Sequence, residues 1–240
     1  MSRLAPRIAG PAPFLEFDSS PSFAAQSSMA LTIYGSPRSR TMRVLWMATE
    51  LGLEYTHVPL EFDDPRLKQA DFLRINPAGA VPAIVDDGFA LAESLAINLY
   101  LAKKYGTAGA TPLYPSTLAG EAEVWRWSLW VQAHLEPWVQ RDALLAGLRE
   151  ASHHAQTAID AGLRRLDRAL AERHWLVGEH FDVADLNVAA VLSPSRTQSL
   201  DLRPYEHVVA WLSRCQGRPA ALATRRRFQA PADPSGRGTT

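Results

Sequence analysis

The stretch LTIYGSPRSRTMRVLWMATELG, residues 31–52, contains a strand, a turn and a helix in one run. Leu31 and Ile33 alternate with Thr32 and Tyr34, as a short strand requires, and Gly35 ends the alternation. Met42, Leu45, Trp46 and Thr49 then recur at steps of three and four until Gly52, so Thr41 to Leu51 reads as a helix. Residues from Tyr55 to Leu60 read as a second strand. Two strands joined through a helix are expected to lie parallel, with a right-handed crossover.

Working outward toward the C-terminus, Pro65 to Arg74 reads as a short helix. Ala83 to Val85 and Phe89 to Leu91 read as strands around Asp86-Asp87-Gly88, an antiparallel pair, and Ser94 to Tyr105 as a helix. The order βαβ, α, ββα predicts a small mixed sheet carrying helices. Beyond Gly106, Pro112 and Pro115 mark a linker over residues 108–119, after which no strand pattern occurs. Helices are expected over Glu121 to Leu135, Arg149 to Arg173, Asp182 to Leu192, Tyr205 to Cys215 and Pro219 to Arg227. The reading is an α/β domain over residues 29–107 followed by an all-α domain over 120–227. Residues 1–28, rich in Pro, Ser and Ala and without a secretory h-region, read as a flexible extension. Phe228 to Thr240, with Pro231, Pro234, Gly236 and Gly238, reads as a mobile tail.

Twenty-five Lys and Arg balance 25 Asp and Glu among 240 residues, which argues against the basic surface that nucleic-acid binding needs. No window holds the roughly 18 to 20 uninterrupted apolar residues of a membrane-spanning helix. The single cysteine, Cys215, rules out an internal disulfide, disfavours a cysteine-based zinc site and fits a reducing compartment. His153 and His154 are adjacent and not four apart on one helix face, so no metal site is expected from them.

Three motifs stand in an informative order: INPAGAVPAI at 75–84, LAESLAI at 91–97 and FDVADL at 181–186. Together they resemble the cytosolic glutathione S-transferases, over roughly Met29 to Arg227. The resemblance implies a thioredoxin-like N-terminal domain that binds glutathione and a helical C-terminal domain that supplies much of a second pocket, for a hydrophobic electrophile. It also implies a cytoplasmic homodimer using glutathione as co-substrate and no metal. It further implies a cis bond between Val81 and Pro82, with the Val81 backbone pairing to the cysteinyl unit of glutathione.

Glu93 and Ser94 stand at a helix start, where free N–H groups and the dipole favour an anion. By the resemblance, Ser94 holds a glutathione carboxylate and Glu93 meets its ammonium group; a plain capping role for Ser94 is compatible with this. Aligning Arg43 with the arginine four residues beyond the catalytic serine of theta-like and delta-like classes selects Ser39 as the thiolate donor. Ser36 keeps a claim because Ser followed by Pro37 suits the start of a helix, and helix capping without catalysis is open for both serines. The basic residue that many relatives carry between Asn76-Pro77 and Val81-Pro82 is replaced by Ala78, Gly79 and Ala80; Lys68, Gln69, Arg38 or Arg40 are the nearby substitutes. Asp182 and Asp185 read as a structural capping box. Trp125, Trp127, Trp130 and Trp138 are the expected source of the electrophile pocket's wall. Two other readings share this framework: a glutathione-binding or regulatory protein without turnover, and a glutathione-dependent reductase or isomerase.

Overall fold

The structure is a computed structural model, and it describes residues 31–144, 149–194, 197 and 200–228. The expected extension over 1–28 and the tail beyond Phe228 lie outside the described residues.

Strands β1 (Leu31–Tyr34), β2 (Tyr55–Val58), β3 (Ala83–Asp86) and β4 (Phe89–Ala92) form one mixed sheet in the order β2-β1-β3-β4. β1 pairs with β2 in parallel, and β3 runs antiparallel to both β1 and β4. Helix α1 (Thr41–Glu50) makes the crossover between β1 and β2, and α3 (Ser94–Tyr105) follows β4. Both lie against a shared core with Ile33, Leu45, Met47, Ile97 and Leu101 fully buried. The thioredoxin-like arrangement is therefore present. The segment read as one helix from Pro65 is split: a 3₁₀ turn over Pro65–Lys68, started by the Asp64 carboxylate accepting the Arg66 N–H, precedes α2 (Ala70–Ile75), with Gln69 extended between them.

The second part has helices and no strand among its described residues: α4 (Leu118–Trp130), α5 (Glu136–Leu144), α6 (Arg149–Leu170), α7 (Val183–Val191), α8 (Glu206–Gln216) and α9 (Pro219–Phe228). Sequence reading ended the first of these at Leu135 and left α5 out. Pro137 is the reason, because a proline inside a helix loses one ladder hydrogen bond and crowds the carbonyl four residues back. The chain widens instead into a π turn over Val131–Leu135, in which the Glu136 N–H reaches the Val131 carbonyl, and the helical path continues. Phe228, read as tail, is the last residue of α9.

Helix α7 is buried on nearly every side and is closed at its start as a capping box. The Asp182 carboxylate accepts the Ala184 N–H at 2.8 Å, and Asp185 accepts the Asp182 N–H at 3.2 Å. Asp185 also accepts Trp211 Nε1 at 2.7 Å and the Leu176 N–H at 3.0 Å, which ties α8 and the loop before α7 to the same carboxylate. Helices α7 and α9 pack on α1, so the two parts of the chain share one core.

Candidate functional site

Strand register brings the predicted residues to one end of the sheet. Tyr34, the last residue of β1, pairs with Ala83, which pairs with Ala92, the last residue of β4. Gly35 to Ser39 therefore leave the sheet beside Val81 and Pro82, which enter it, and beside Glu93 and Ser94, which leave it. The Val81–Pro82 bond is cis, as the resemblance implied. Gly35 makes the close approach possible: at its φ of +132°, a Cβ would stand 2.1 Å from Thr41 Oγ1 and 2.9 Å from Val81 Cβ.

Two helix starts face this end. At α3, Glu93 precedes the helix with φ +69°, a left-handed conformation that costs a non-glycine residue about 1–3 kcal/mol. Its exposed carboxylate has no partner among the described residues. Ser94 is buried at the first helical position, its hydroxyl has no hydrogen-bond partner among the described residues, and α3 begins without a side-chain cap. At α1, the Ser39 oxygen accepts the Thr41 N–H at 3.0 Å and lies 2.8 Å from Thr41 Oγ1. The Ser39 hydroxyl donates to the Ser36 carbonyl at 2.7 Å. Ser36 is fully buried and points elsewhere, donating to Glu61 Oε1 at 2.9 Å. Burial raises the Tyr34 phenol, and its ring packs edge-to-face on Phe72, 5.9 Å between centroids, so Tyr34 is part of a small second core.

The loop that lacks the expected basic residue has one close by in space. Lys68 Nζ donates to the Gly79 carbonyl at 3.2 Å, and a side chain at position 79 would begin 2.8 Å from that same nitrogen. Asn76 braces the loop from inside, its amide donating to the Ala80 carbonyl at 2.7 Å. Of the four substitutes expected from the sequence, Lys68 is the one with a hydrogen bond to this loop among the described residues.

Beside Ser39 opens a cavity of about 490 Å³ between the start of α1, the end of α7 and α9. Met42, Trp46, Ala189 and Phe228 give it apolar walls. None of Trp125, Trp127, Trp130 and Trp138 lines it. Trp127 and Trp130 are core residues that pack edge-to-face on each other, and Trp125 lies half-exposed on α4. Trp46 was not anticipated as a wall because the same helical spacing also describes a core residue. Its indole donates to Glu50 at 2.9 Å, and Glu50 in turn accepts both Nε and a terminal nitrogen of Arg218 at 2.9 Å.

Arg40 and Arg43 also reach the cavity, held by one carboxylate. Glu136, buried at the start of α5, accepts Arg40 Nε at 2.8 Å and two Arg43 nitrogens at 2.5 and 3.2 Å. Burial alone would raise this carboxyl, but Arg43 and then Arg40 outweigh it and hold it at about 2. Among the described residues no group of three or more His, Cys, Asp or Glu is placed to hold a metal ion, and no helix is long and apolar enough to cross a membrane.

Comparison with known proteins gives this arrangement a family. Residues 29–103 match the family model for the glutathione S-transferase N-terminal domain, and residues 127–219 that for the C-terminal domain. Glutathione S-transferase 3 of Zea mays is 36% identical over 223 residues, covering 85% of this chain and 97% of the maize protein. A glutathione S-transferase structure from Xanthobacter autotrophicus Py2 is 30% identical with TM-score 0.68, covering 80% of this chain and 95% of its own. The structure of yeast Ure2p in complex with glutathione shares the fold at TM-score 0.76 and 22% identity, covering 85% of this chain and 96% of its own.

Proposed function

The chain belongs to the glutathione S-transferase family, and on that premise we propose that it is a glutathione transferase in which the Ser39 hydroxyl holds bound glutathione as a thiolate for attack on a hydrophobic electrophile. The observation that carries this reading is that Ser39 stands both at the sheet end shared by Val81, Pro82, Glu93 and Ser94 and on the wall of the apolar cavity. In this reading the tripeptide lies across that sheet end. The Val81 backbone pairs with its cysteinyl unit in the manner of an added strand. The uncapped start of α3, with the Ser94 hydroxyl, receives the γ-glutamyl carboxylate, and Glu93 receives the ammonium group. Lys68 meets the glycine carboxylate.

The energetics are sufficient. A thiol with pKa about 8.5 needs nearly 3 kcal/mol of preferential stabilisation of its anion to fall by two units. One hydroxyl donating to a charged sulfur supplies about 1.5–3 kcal/mol, and the α1 start supplies up to about 2 more. Binding releases the thiol proton to solvent. The sulfur lone pair then forms the S–C bond, and a leaving group departs with the electron pair of its bond to carbon. On an activated alkene, the displaced pair moves to the neighbouring carbon, which takes a proton from solvent.

The reading predicts saturable conjugation of 1-chloro-2,4-dinitrobenzene with glutathione, with kcat reduced at least about 10-fold in Ser39→Ala, the rate equivalent of a hydrogen bond of about 1.5 kcal/mol to a charged sulfur. A second reading, glutathione binding without turnover, is favoured by one observation, the prior donation of the Ser39 proton to the Ser36 carbonyl. Tight glutathione binding with no conjugation across a broad panel of electrophiles would decide for it. The proposed setting is a cytoplasmic homodimer.

A further inference from the structure

Four arginines, Arg38, Arg40, Arg43 and Arg225, line the cavity beside Ser39, and among the described residues no aspartate or glutamate does. Three of them are answered by carboxylates behind the wall. Arg38 pairs with Glu61 at 3.1 Å, and Arg40 and Arg43 pair with Glu136. Arg225, on the last turns of α9, is different. It is partly buried, it donates to the Gln216 main-chain carbonyl, and it has no carboxylate partner among the described residues. A guanidinium offers five donors in a planar fork, and burial without a counter-ion is unfavourable. Burial is also the sole cause that lowers its pKa, with no neighbouring anion opposing it.

The cavity therefore joins two kinds of wall. Trp46, Met42, Ala189 and Phe228 suit an aromatic or alkyl body, while Arg225 presents an unanswered cation to the same space. We propose that the second substrate is an amphipathic electrophile, an apolar body bearing a carboxylate or similar planar anion, and that Arg225 receives that anion as a forked pair while Ser39 presents the thiolate to the reactive carbon. An arginine fork matches a carboxylate with two parallel charge-assisted hydrogen bonds, which a single neutral carbonyl acceptor does not supply, so the bound anion satisfies the guanidinium better than the free protein does. This inference rests on the transferase reading, and it adds that substrate charge decides selectivity.

The test compares 4-chloro-3,5-dinitrobenzoate with its methyl ester, each rate divided by the uncatalysed rate of the same compound. In the wild type the carboxylate is preferred, and in Arg225→Ala the ratio of kcat/KM for carboxylate over ester falls at least about 10-fold, the scale of one charge-assisted fork. Arg225→Lys, which keeps the charge, keeps the preference at reduced size. An equal loss for both compounds, no loss for either, or a matching rise in the glutathione KM would overturn the assignment. Should neither compound react, the broad electrophile panel decides the transferase reading separately, and equilibrium binding of the two compounds still decides the role of Arg225. Tighter binding of the carboxylate that disappears in Arg225→Ala supports it, and equal affinities overturn it.

Discussion

Ser39 reconciles two duties through a single rotor. Its oxygen accepts the Thr41 N–H, and that bond does not depend on where the hydroxyl proton points. Turning the proton from the Ser36 carbonyl to a bound sulfur leaves that carbonyl still accepting the Ser39 N–H at 3.0 Å. The free-state hydrogen bond is thus a resting position from which donation to a thiolate costs little. Ser36 has no comparable freedom, because its proton goes to Glu61 and its oxygen accepts the Arg38 N–H at 3.2 Å. At the same scale, Glu136 carries a prediction. Its carboxylate is buried against Arg43 and Arg40, and removing the charge breaks a buried ion pair while the Arg43 guanidinium stays buried. Glu136→Gln is expected to lower stability by about 3–5 kcal/mol in urea unfolding; a loss below about 1 kcal/mol would contradict the role assigned to the pair. Because the carboxyl is held at about 2, its contribution is present above the ordinary carboxylate range and is lost as pH falls toward 2.

Among the elements, the starts of α7 and α3 are closed differently, and the proposed function assigns only the second to ligand binding. Helix α7 is closed by the Asp182–Asp185 box, whereas α3 begins with a strained Glu93 and a Ser94 hydroxyl that has no hydrogen-bond partner among the described residues. The box also imposes a pH dependence. Burial, with the neighbouring Asp185 charge adding to it, pushes the Asp182 carboxyl up to about 8. A raised folded-state pKa means that the fold favours the protonated acid, so this contribution is complete below the ordinary carboxylate range and is lost as pH rises to about 8. Wild-type stability is therefore expected to fall between about pH 4 and pH 8, by up to about 1.4 kcal/mol per pH unit for one proton. Asp182→Asn keeps a capping oxygen and flattens that slope in urea midpoints measured across the range; an unchanged slope would show that another group sets it. The surface of α4 carries a second element-scale expectation. Leu118, Ala122, Trp125 and Leu129 are exposed at steps of four, three and four, forming one apolar face. The proposed homodimer covers it, so Leu129→Glu should shift sedimentation equilibrium from dimer to monomer, and a monomeric wild type would remove the proposal.

For the whole molecule, what was legible in the sequence depended on how local its cause is. Strands and helices of the first part follow from alternation, three-and-four spacing and the glycines at 35 and 52, and the register of β1, β3 and β4 then carries the predicted residues to one place. Helix α5 was missed because Pro137 reads as a stop, and only the π turn before it shows how the chain absorbs it. The cavity was not legible, since α1, α7 and α9 are far apart in sequence and meet only through the shared core. Phe228 reads as tail for that reason, and only the folded chain brings Lys68, one of four substitutes, to Gly79. The account as a whole rests on a thiolate made favourable where one sheet end meets two helix starts. Its most direct test is the ultraviolet absorbance of the glutathione thiolate in the binary complex, titrated from about pH 5 to pH 9. The expected result is a thiol pKa about two units below that of free glutathione in the wild type, rising by at least about one unit in Ser39→Ala, since one hydrogen bond to a charged sulfur is worth about that much. A wild-type complex whose thiol ionises as it does in water, with the tripeptide bound, would contradict the account.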